Sequence, residues 1–158
     1  MTGPDRGGAD DHQRAIERVL YRYAHGIDRR DLAVVRDCYW DDAHDEHEGF
    51  SGTIDEYCAW LADVLPKVDV STHVFANVVV DVDSGGDGAA EGDATVARAT
   101  SDAYCLNTSV WRLADGKERH LMTCLSYIDE WERRAGEWRI SRRRCRRLWS
   151  RVEEVQPW

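Results

Sequence analysis

The segment His44-Asp45-Glu46-His47-Glu48 places two imidazoles and three carboxylates within five residues, a set of ligands that could bind a metal ion. On a strand, however, residues three apart point to opposite faces, so His44 and His47 would not converge on one ion. A helix would bring them closer, but the flanking residues are poor helix formers. We therefore expect an exposed acidic loop at the rim of a pocket, with His44 reaching its mouth.

Arginines crowd the C-terminal end of the chain, at positions 142, 143, 144, 146, 147 and 151. Such a run can bind phosphate groups. The net charge is −9 and the pI is about 5.1, which argues against nucleic acid as a partner. We expect these arginines to pair instead with the abundant carboxylates.

The five cysteines are widely spaced, odd in number and without a CxxC pair; they are Cys38, Cys58, Cys105, Cys124 and Cys145. This pattern is typical of buried, reduced thiols rather than of disulfides or a zinc site. No apolar run is long enough to span a membrane, and residues 1–10 lack the apolar stretch of a signal peptide. The sequence therefore predicts a cytoplasmic protein without a membrane partner.

Apolar residues at three- and four-residue steps predict three helices in the first part of the chain. The first carries an apolar stripe over 16–27 and is capped by Asp10 or Asp11. Asp31 caps a short second helix. The third begins near Thr53 and ends at Pro66.

Beyond position 66 the apolar period changes to two, which predicts strands over 72–82, 94–113, 119–133 and 138–149, with a loop over 84–88. A short extra strand is expected over 43–50. Helices followed by an antiparallel meander predict an α+β fold, three helices on one curved sheet. The domain spans 11–150, with a flexible lead-in (1–10) and a tail (151–158). Neither face of 72–82 is solvent-like, so we expect a second subunit to cover one face.

Three motifs are spread over the chain: YxYAxxIDRRD over 21–31, THxxxNVxV over 72–80, and DExERRxGxWxIxxR over 129–143. Their order resembles the SnoaL-like branch of the nuclear-transport-factor-two-like superfamily over residues 12–150. That branch includes bile-acid dehydratase, scytalone dehydratase and hexachlorocyclohexane dehydrochlorinase. The resemblance implies a cone-shaped sheet, a homo-oligomer that is generally a trimer, and no metal or organic cofactor.

The resemblance also implies an active site, in which an Asp–His pair deep in the cone falls on Asp28 and His73. Tyr23 stands where bile-acid dehydratase carries a tyrosine. Arg143 matches a pocket arginine of the dehydrochlorinase, and Asp102 matches a further pocket carboxylate of bile-acid dehydratase. An imidazole can act as general base or acid, and a carboxylate on its other nitrogen fixes the tautomer and raises basicity.

Tyr23 could donate a proton or hydrogen bond to a leaving hydroxyl or a carbonyl oxygen. On an ideal helix, Tyr23 and Asp28 lie about 140° apart, so both reach one pocket only if the helix unwinds near Gly26. The alternative for Tyr23 is a place in the hydrophobic core.

Asp102 shares strand parity with Arg98 and Tyr104, a polar row that either orients a substrate or forms a solvated charge pair. Phe75 lies on the same strand face as His73 and is expected to line the pocket. For Arg143 the alternative is an exterior arginine, because a register change of one residue would turn Arg142 or Arg144 inward instead.

Together the residues and the resemblance predict a cofactor-free dehydratase (a lyase) or isomerase acting on a hydrophobic polycyclic or aromatic small molecule, steroid- or polyketide-like. Dehydration ranks ahead of isomerisation, and cyclisation remains open. The alternatives are a non-catalytic small subunit of a ring-hydroxylating dioxygenase and a ligand-binding protein.

Overall fold

The structure is a computed structural model that describes residues 6–83 and 97–155. Its helices are α1 (Arg6–Arg29), α2 (Leu32–Asp37) and α3 (Ile54–Val64), the last followed by a 3-10 turn (Leu65–Lys67). Its strands are β1 (Tyr39–His47), β2 (Phe50–Thr53), β3 (Val70–Val82), β4 (Ala97–Arg112), β5 (Glu118–Arg134) and β6 (Glu137–Val155). The predicted loop over 84–88 and the predicted strand start at 94 lie outside the described residues.

Helix α1 packs its apolar stripe against β3 and β6. It begins at Arg6, so Asp10 and Asp11 lie inside the helix rather than at its cap. The helix also continues without interruption to Arg29, so the unwinding near Gly26 on which a shared pocket was made to depend does not occur. Gly26 serves a different purpose: a Cβ there would lie 2.8 Å from Cγ2 of Val35, so glycine permits α2 to pack closely on α1.

The predicted cap of α2 and the predicted start of α3 are confirmed. The Asp31 carboxylate accepts a hydrogen bond from the backbone N–H of Val34 at 3.1 Å. Thr53 and Glu56 form a reciprocal capping box at the start of α3. Pro66 lies in the 3-10 turn that ends this helix.

One curved sheet of six strands, not closed into a barrel, carries the helices, as in the cone-shaped α+β fold that was predicted. The strand order is β2-β1-β6-β5-β4-β3, and every neighbouring pair is antiparallel except β1 and β6, which are parallel. The region predicted as one short strand over 43–50 is a hairpin of β1 and β2. Strand β6 continues to Val155, so most of the predicted tail belongs to the sheet.

A β-bulge at Asn77 divides β3 into two halves. The register shifts between Ala76 and Val79, and Asn77 has a φ of 51°. His73 and Phe75 face the helices before the bulge, whereas Val78 and Val80 face them after it. The bulge therefore explains why neither parity of this strand looked polar in the sequence.

Two composition-based predictions can be compared directly with the structure. All five cysteines are free thiols. Five of the six arginines near the C-terminus pair with carboxylates, as Arg142 does with Glu46 at 2.7 Å and Arg143 with Asp129 at 2.7 Å. In the part of the chain described here, no helix has the length and apolar character needed to cross a membrane.

Candidate active site

A cavity of about 180 Å³ lies between the helices and the inner face of β3, β4 and β5. Helices α1 and α3 and the 3-10 turn supply most of its aromatic and aliphatic walls, and the strands supply the imidazoles, the amide and the serine hydroxyls. The lining residues are Tyr23, Ile27, His47, Tyr57, Trp60, Leu61, Val64, Leu65, Val68, Ser71, His73, Asn107, Ser109, Leu125 and Tyr127.

Asp28 and His73 touch at one side of this cavity. Nδ1 of His73 lies 2.6 Å from Oδ1 of Asp28, and the side chains are 11% and 21% exposed. The Ser71 hydroxyl donates to the same carboxylate at 2.9 Å. Burial raises the pKa of Asp28, but the hydrogen bonds from His73 and Ser71 outweigh burial and hold this pKa below its ordinary value. The ionised carboxylate can only accept, so Nδ1 of His73 carries a proton and Nε2 faces Asn107.

Asn107 and Ser109 complete a polar group around the imidazole that the sequence did not predict. Nδ2 of Asn107 lies 3.1 Å from Nε2 of His73, and Oδ1 of Asn107 accepts from the Ser109 hydroxyl at 3.2 Å. Both residues belong to the inner row of β4. The sequence did contain a signal for this inner row, because small residues alternate with larger polar ones over 99–109. Small side chains leave room for a cavity beneath the helices.

Tyr23 and Tyr57 also line the cavity, and their hydroxyls lie 2.7 Å apart. Burial raises the pKa of Tyr23 and, to well above its ordinary value, that of Tyr57. Both phenols are therefore protonated at rest and can donate or accept hydrogen bonds. Tyr23 reaches the cavity together with Ile27, one helical turn on, whereas Asp28 reaches β3 at the cavity's edge. An unbroken helix α1 can therefore place Tyr23 in the cavity and Asp28 against His73.

Arg143 faces inward, as predicted, but it lies behind the aromatic wall and does not line the cavity. Its guanidinium makes two hydrogen bonds of 2.7 Å to Asp129 and lies 4.2 Å from the centre of the Tyr23 ring. Burial would lower the pKa of Arg143, but Asp129 outweighs burial and raises this pKa well above its ordinary value. Arg143 thus supports the wall with a fixed positive charge.

Asp102 and Tyr104 lie on the outer face of the sheet, so their prediction as substrate-binding residues was wrong. Both are exposed, and Asp102 accepts a hydrogen bond from Ser126 at 3.1 Å. The inner face of β4 carries the residues of opposite parity, such as Ser101 and Asn107. The polar row that the sequence predicted for the pocket, which contains Asp102 and Tyr104, therefore lies on the outer face.

Two further predicted lining residues lie elsewhere. Phe75 is buried in the core against Tyr127, at a ring-centroid distance of 5.1 Å, and is absent from the cavity wall. His44 is on the outer side of β1, 3.1 Å from the Ser51 hydroxyl, and does not reach the mouth. Its neighbour His47 points the other way and lines the cavity, because residues three apart on a strand face opposite sides.

The arrangement can therefore support proton transfer. It combines a carboxylate-oriented imidazole, a pair of protonated phenols and largely apolar walls. A substrate in the cavity would find a proton acceptor in His73 and a hydrogen-bond donor in Tyr23 among the lining residues.

Comparison with known proteins assigns the chain to a family. A family model described as the SnoaL-like domain matches residues 11–144. The chain belongs to the SnoaL-like family. An uncharacterized protein of Mycobacterium tuberculosis is 29% identical over 131 residues, which cover 81% of this chain and 80% of the relative.

Solved structures show the same fold for the SnoaL-like chain. A provisionally assigned scytalone dehydratase from Novosphingobium aromaticivorans superposes with a TM-score of 0.70 at 19% identity, covering 92% of this chain and 89% of the other. A hexachlorocyclohexane dehydrochlorinase from Novosphingobium barchaimii gives a TM-score of 0.66 at 20% identity, with 90% of each chain covered. The membership in the nuclear-transport-factor-two-like superfamily that the motifs implied is confirmed.

Proposed function

We propose that this SnoaL-like protein is a lyase that eliminates water from a small hydrophobic molecule by general acid–base catalysis. The observation that carries the proposal is the 2.6 Å contact between Asp28 and Nδ1 of His73 at the wall of an apolar cavity. A buried imidazole oriented by an ionised carboxylate has its Nε2 lone pair available as a base. Isomerisation uses the same groups, and the reaction then differs only in where the proton returns.

In the proposed reaction, Nε2 of His73 removes a proton from carbon, the carbon–carbon double bond forms, and the carbon–oxygen bond breaks. Tyr23 gives its proton to the departing oxygen, which leaves as water, and the proton taken up by His73 balances the one lost by Tyr23. The amide of Asn107 keeps the plane of the imidazole fixed. This amide must move away from Nε2 before Nε2 can take a proton from the substrate. Arg143 supports the Tyr23 ring from behind and has no contact with the substrate.

The cavity volume bears on the substrate class. A volume of about 180 Å³ is smaller than the ~300–1,000 Å³ of pockets that hold drug-sized ligands. It favours a substrate with one or two rings over a four-ring steroid, within the predicted class of hydrophobic aromatic or polycyclic molecules. A polyketide-derived bicyclic alcohol is an example. The predicted cytoplasmic location and the absence of a cofactor stay predictions.

The test begins with a thermal-shift screen of mono- and bicyclic alcohols that carry a carbonyl group β to the hydroxyl, because ligand binding to the folded state raises Tm. Hits are then followed by absorbance for the conjugated product. We expect His73→Gln to lower turnover by about 10²–10⁴-fold while the far-ultraviolet circular dichroism stays unchanged.

His44→Gln is the matched control, since it removes an imidazole outside the cavity, and it should leave turnover unchanged. Retained turnover in His73→Gln would contradict the proposal. Saturable binding of hits that emerge unaltered by mass spectrometry would instead favour the ligand-binding alternative.

We also propose that the protein self-associates through the outer face of its sheet. Large apolar side chains stand exposed on four adjacent strands of this face; they are Val74, Val79, Tyr104, Leu106, Met122, Leu148 and Trp149. Contiguous apolar surface of this kind commonly marks a protein interface. A second copy is the occupant that the sequence predicted for this face.

A further inference from the structure

A second histidine–carboxylate pair borders the same cavity. Nδ1 of His47 is hydrogen bonded to Oδ1 of Asp45, and the two side chains are 12% and 0% exposed. The His47 ring lies against that of Tyr57, and its Nε2 is 3.3 Å from the Tyr57 hydroxyl. The Tyr57 hydroxyl is in turn 2.7 Å from that of Tyr23. A chain of contacts therefore runs from His47 through Tyr57 to Tyr23.

At the Asp45 end of this network, the donor and the acceptor of each hydrogen bond are fixed. Arg143 is a donor only, and it donates to the Tyr39 hydroxyl oxygen at 3.2 Å. Tyr39 must then give its own proton to Oδ2 of Asp45, at 2.7 Å. Asp45 is thereby held as an acceptor, so Nδ1 of His47 is the donor to it. The network leaves open whether Nε2 of His47 carries a proton.

The protonation of Nε2 decides the direction of the rest of the chain. When Nε2 is bare, Tyr57 donates to His47 and Tyr23 donates to Tyr57, so the Tyr23 proton points away from the cavity. When Nε2 is protonated, His47 donates to Tyr57, and Tyr57 donates to Tyr23. The Tyr23 proton is then free to bind an acceptor in the cavity.

We propose that His47, held by Asp45, acts through Tyr57 to control whether Tyr23 offers a hydrogen bond to the substrate. This inference rests on the proposed function and adds the source of the second proton. In the elimination, Tyr23 gives its proton to the leaving oxygen, Tyr57 reprotonates Tyr23, and His47 reprotonates Tyr57. The net change is one proton moved from the His47 imidazolium to the departing hydroxide, which leaves as water. His47 is a positioning residue in this scheme, and His73 takes the carbon-bound proton.

The surroundings of His47 favour this role. Its neighbours supply two buried carboxylates and one buried guanidinium, so a protonated imidazole makes the cluster neutral. The titratable and charged groups that face it from the packed elements are Asp45 and Tyr39 of β1, Asp129 and Tyr127 of β5, Arg143 and Cys145 of β6, Tyr57 of α3 and Tyr23 of α1. Burial keeps the phenols protonated, so the direction of the hydrogen bonds in this chain is set at the imidazole.

Acetophenone tests the proposal without requiring turnover, because it offers one ring and one carbonyl acceptor. Its dissociation constant is measured by titration calorimetry between about pH 5.5 and 8.5, with the infrared carbonyl stretch of the bound molecule as a direct reading of hydrogen bonding. We expect about fivefold tighter binding at the acid end, the value of one added hydrogen bond, together with a lower carbonyl frequency.

Tyr57→Phe keeps the packing and removes the connecting hydroxyl, so it should abolish the pH dependence, as should His47→Gln. His44→Gln, which removes an imidazole outside the cavity, is the control and should retain it. A pH dependence that survives in Tyr57→Phe, or that disappears in His44→Gln, would overturn the proposal, and so would failure of acetophenone to bind at any pH. The proposed function is judged separately, by the turnover of His73→Gln.

Discussion

Asp28 holds His73 at two points, because Oδ1 contacts the ring Nδ1 at 2.6 Å and Oδ2 accepts from the backbone N–H of His73 at 2.9 Å. The end of α1 is thereby tied to the strand as well as to the imidazole. A single carboxylate fixes the position of the residue and the tautomer of its ring.

Asp28→Asn should keep the fold and lower turnover. The amide can still bond the backbone N–H through its oxygen, but its NH₂ group then faces Nδ1 and favours the opposite tautomer, with the proton on Nε2. We expect a loss of about 10²–10⁴-fold in kcat, by the logic of hydrolase triads. Asp63→Asn, an exposed carboxylate on α3, is the matched control. Activity within about tenfold of the unaltered protein would argue against a tautomer-fixing role.

Stability in acid should depend on Asp28. Its pKa is lowered in the folded state, so its contribution is complete above the ordinary carboxyl value of about 4 and disappears as the pH falls through the lowered value. Urea unfolding at a series of pH values from 6 down to about 2.5 should show this loss, and Asp28→Asn should show less of it. An identical slope in both proteins would exclude the contribution.

Arg143→Met should destabilise the protein by about 3–5 kcal/mol, because Asp129 would be left buried without its partner. Restoring neutrality with Asp129→Leu in the same chain should recover much of that loss. Arg147→Met, which removes an exposed pair with Glu48, should cost at most about 1 kcal/mol. Urea unfolding measures the free energy of unfolding of all three variants. Equal losses of stability in Arg143→Met and Arg147→Met would contradict the expected difference between a buried and an exposed ion pair.

Gly26→Ala should destabilise the contact between α1 and α2. The added Cβ would meet Cγ2 of Val35 at 2.8 Å and the backbone oxygen of Asp31 at 3.2 Å, and the backbone cannot move away as a flexible side chain would. A loss of about 1–3 kcal/mol is expected in thermal or urea unfolding, although alanine is the better helix former. The pair Gly26→Ala and Val35→Ala should lose less than the sum of the single changes. A stabilised Gly26→Ala protein would show that the helices separate at no cost.

Leu106→Lys and Val79→Lys should reduce self-association through the outer face of the sheet. Both side chains are exposed in the single chain, 43% and 60%, so lysine should not disturb the fold of the monomer. Light scattering coupled to gel filtration should show a smaller particle than for the unaltered protein. Lys67→Glu, away from this face, is the control. A monomer already present in the unaltered protein would refute the proposed interface.

The sequence determined the local structure because local structure depends on neighbours in the chain. The caps at Asp31 and Thr53, the end of α3 at Pro66 and the change of period in β3 each rest on interactions within a few residues. The three motifs then carried the family and with it the expectation that Asp28 and His73 form a pair.

Only the tertiary structure decided which faces point inward and which distant residues meet. The bulge at Asn77 reverses the parity of β3, and the inner row of β4 carries Asn107 instead of Asp102, because period-two patterns define two faces without saying which one the helices cover. The parallel pairing of β1 with β6 brings His47 and Asp45 beside Arg143, nearly a hundred residues away in the chain. No local spacing encodes such a contact, since it depends on how the whole sheet assembles.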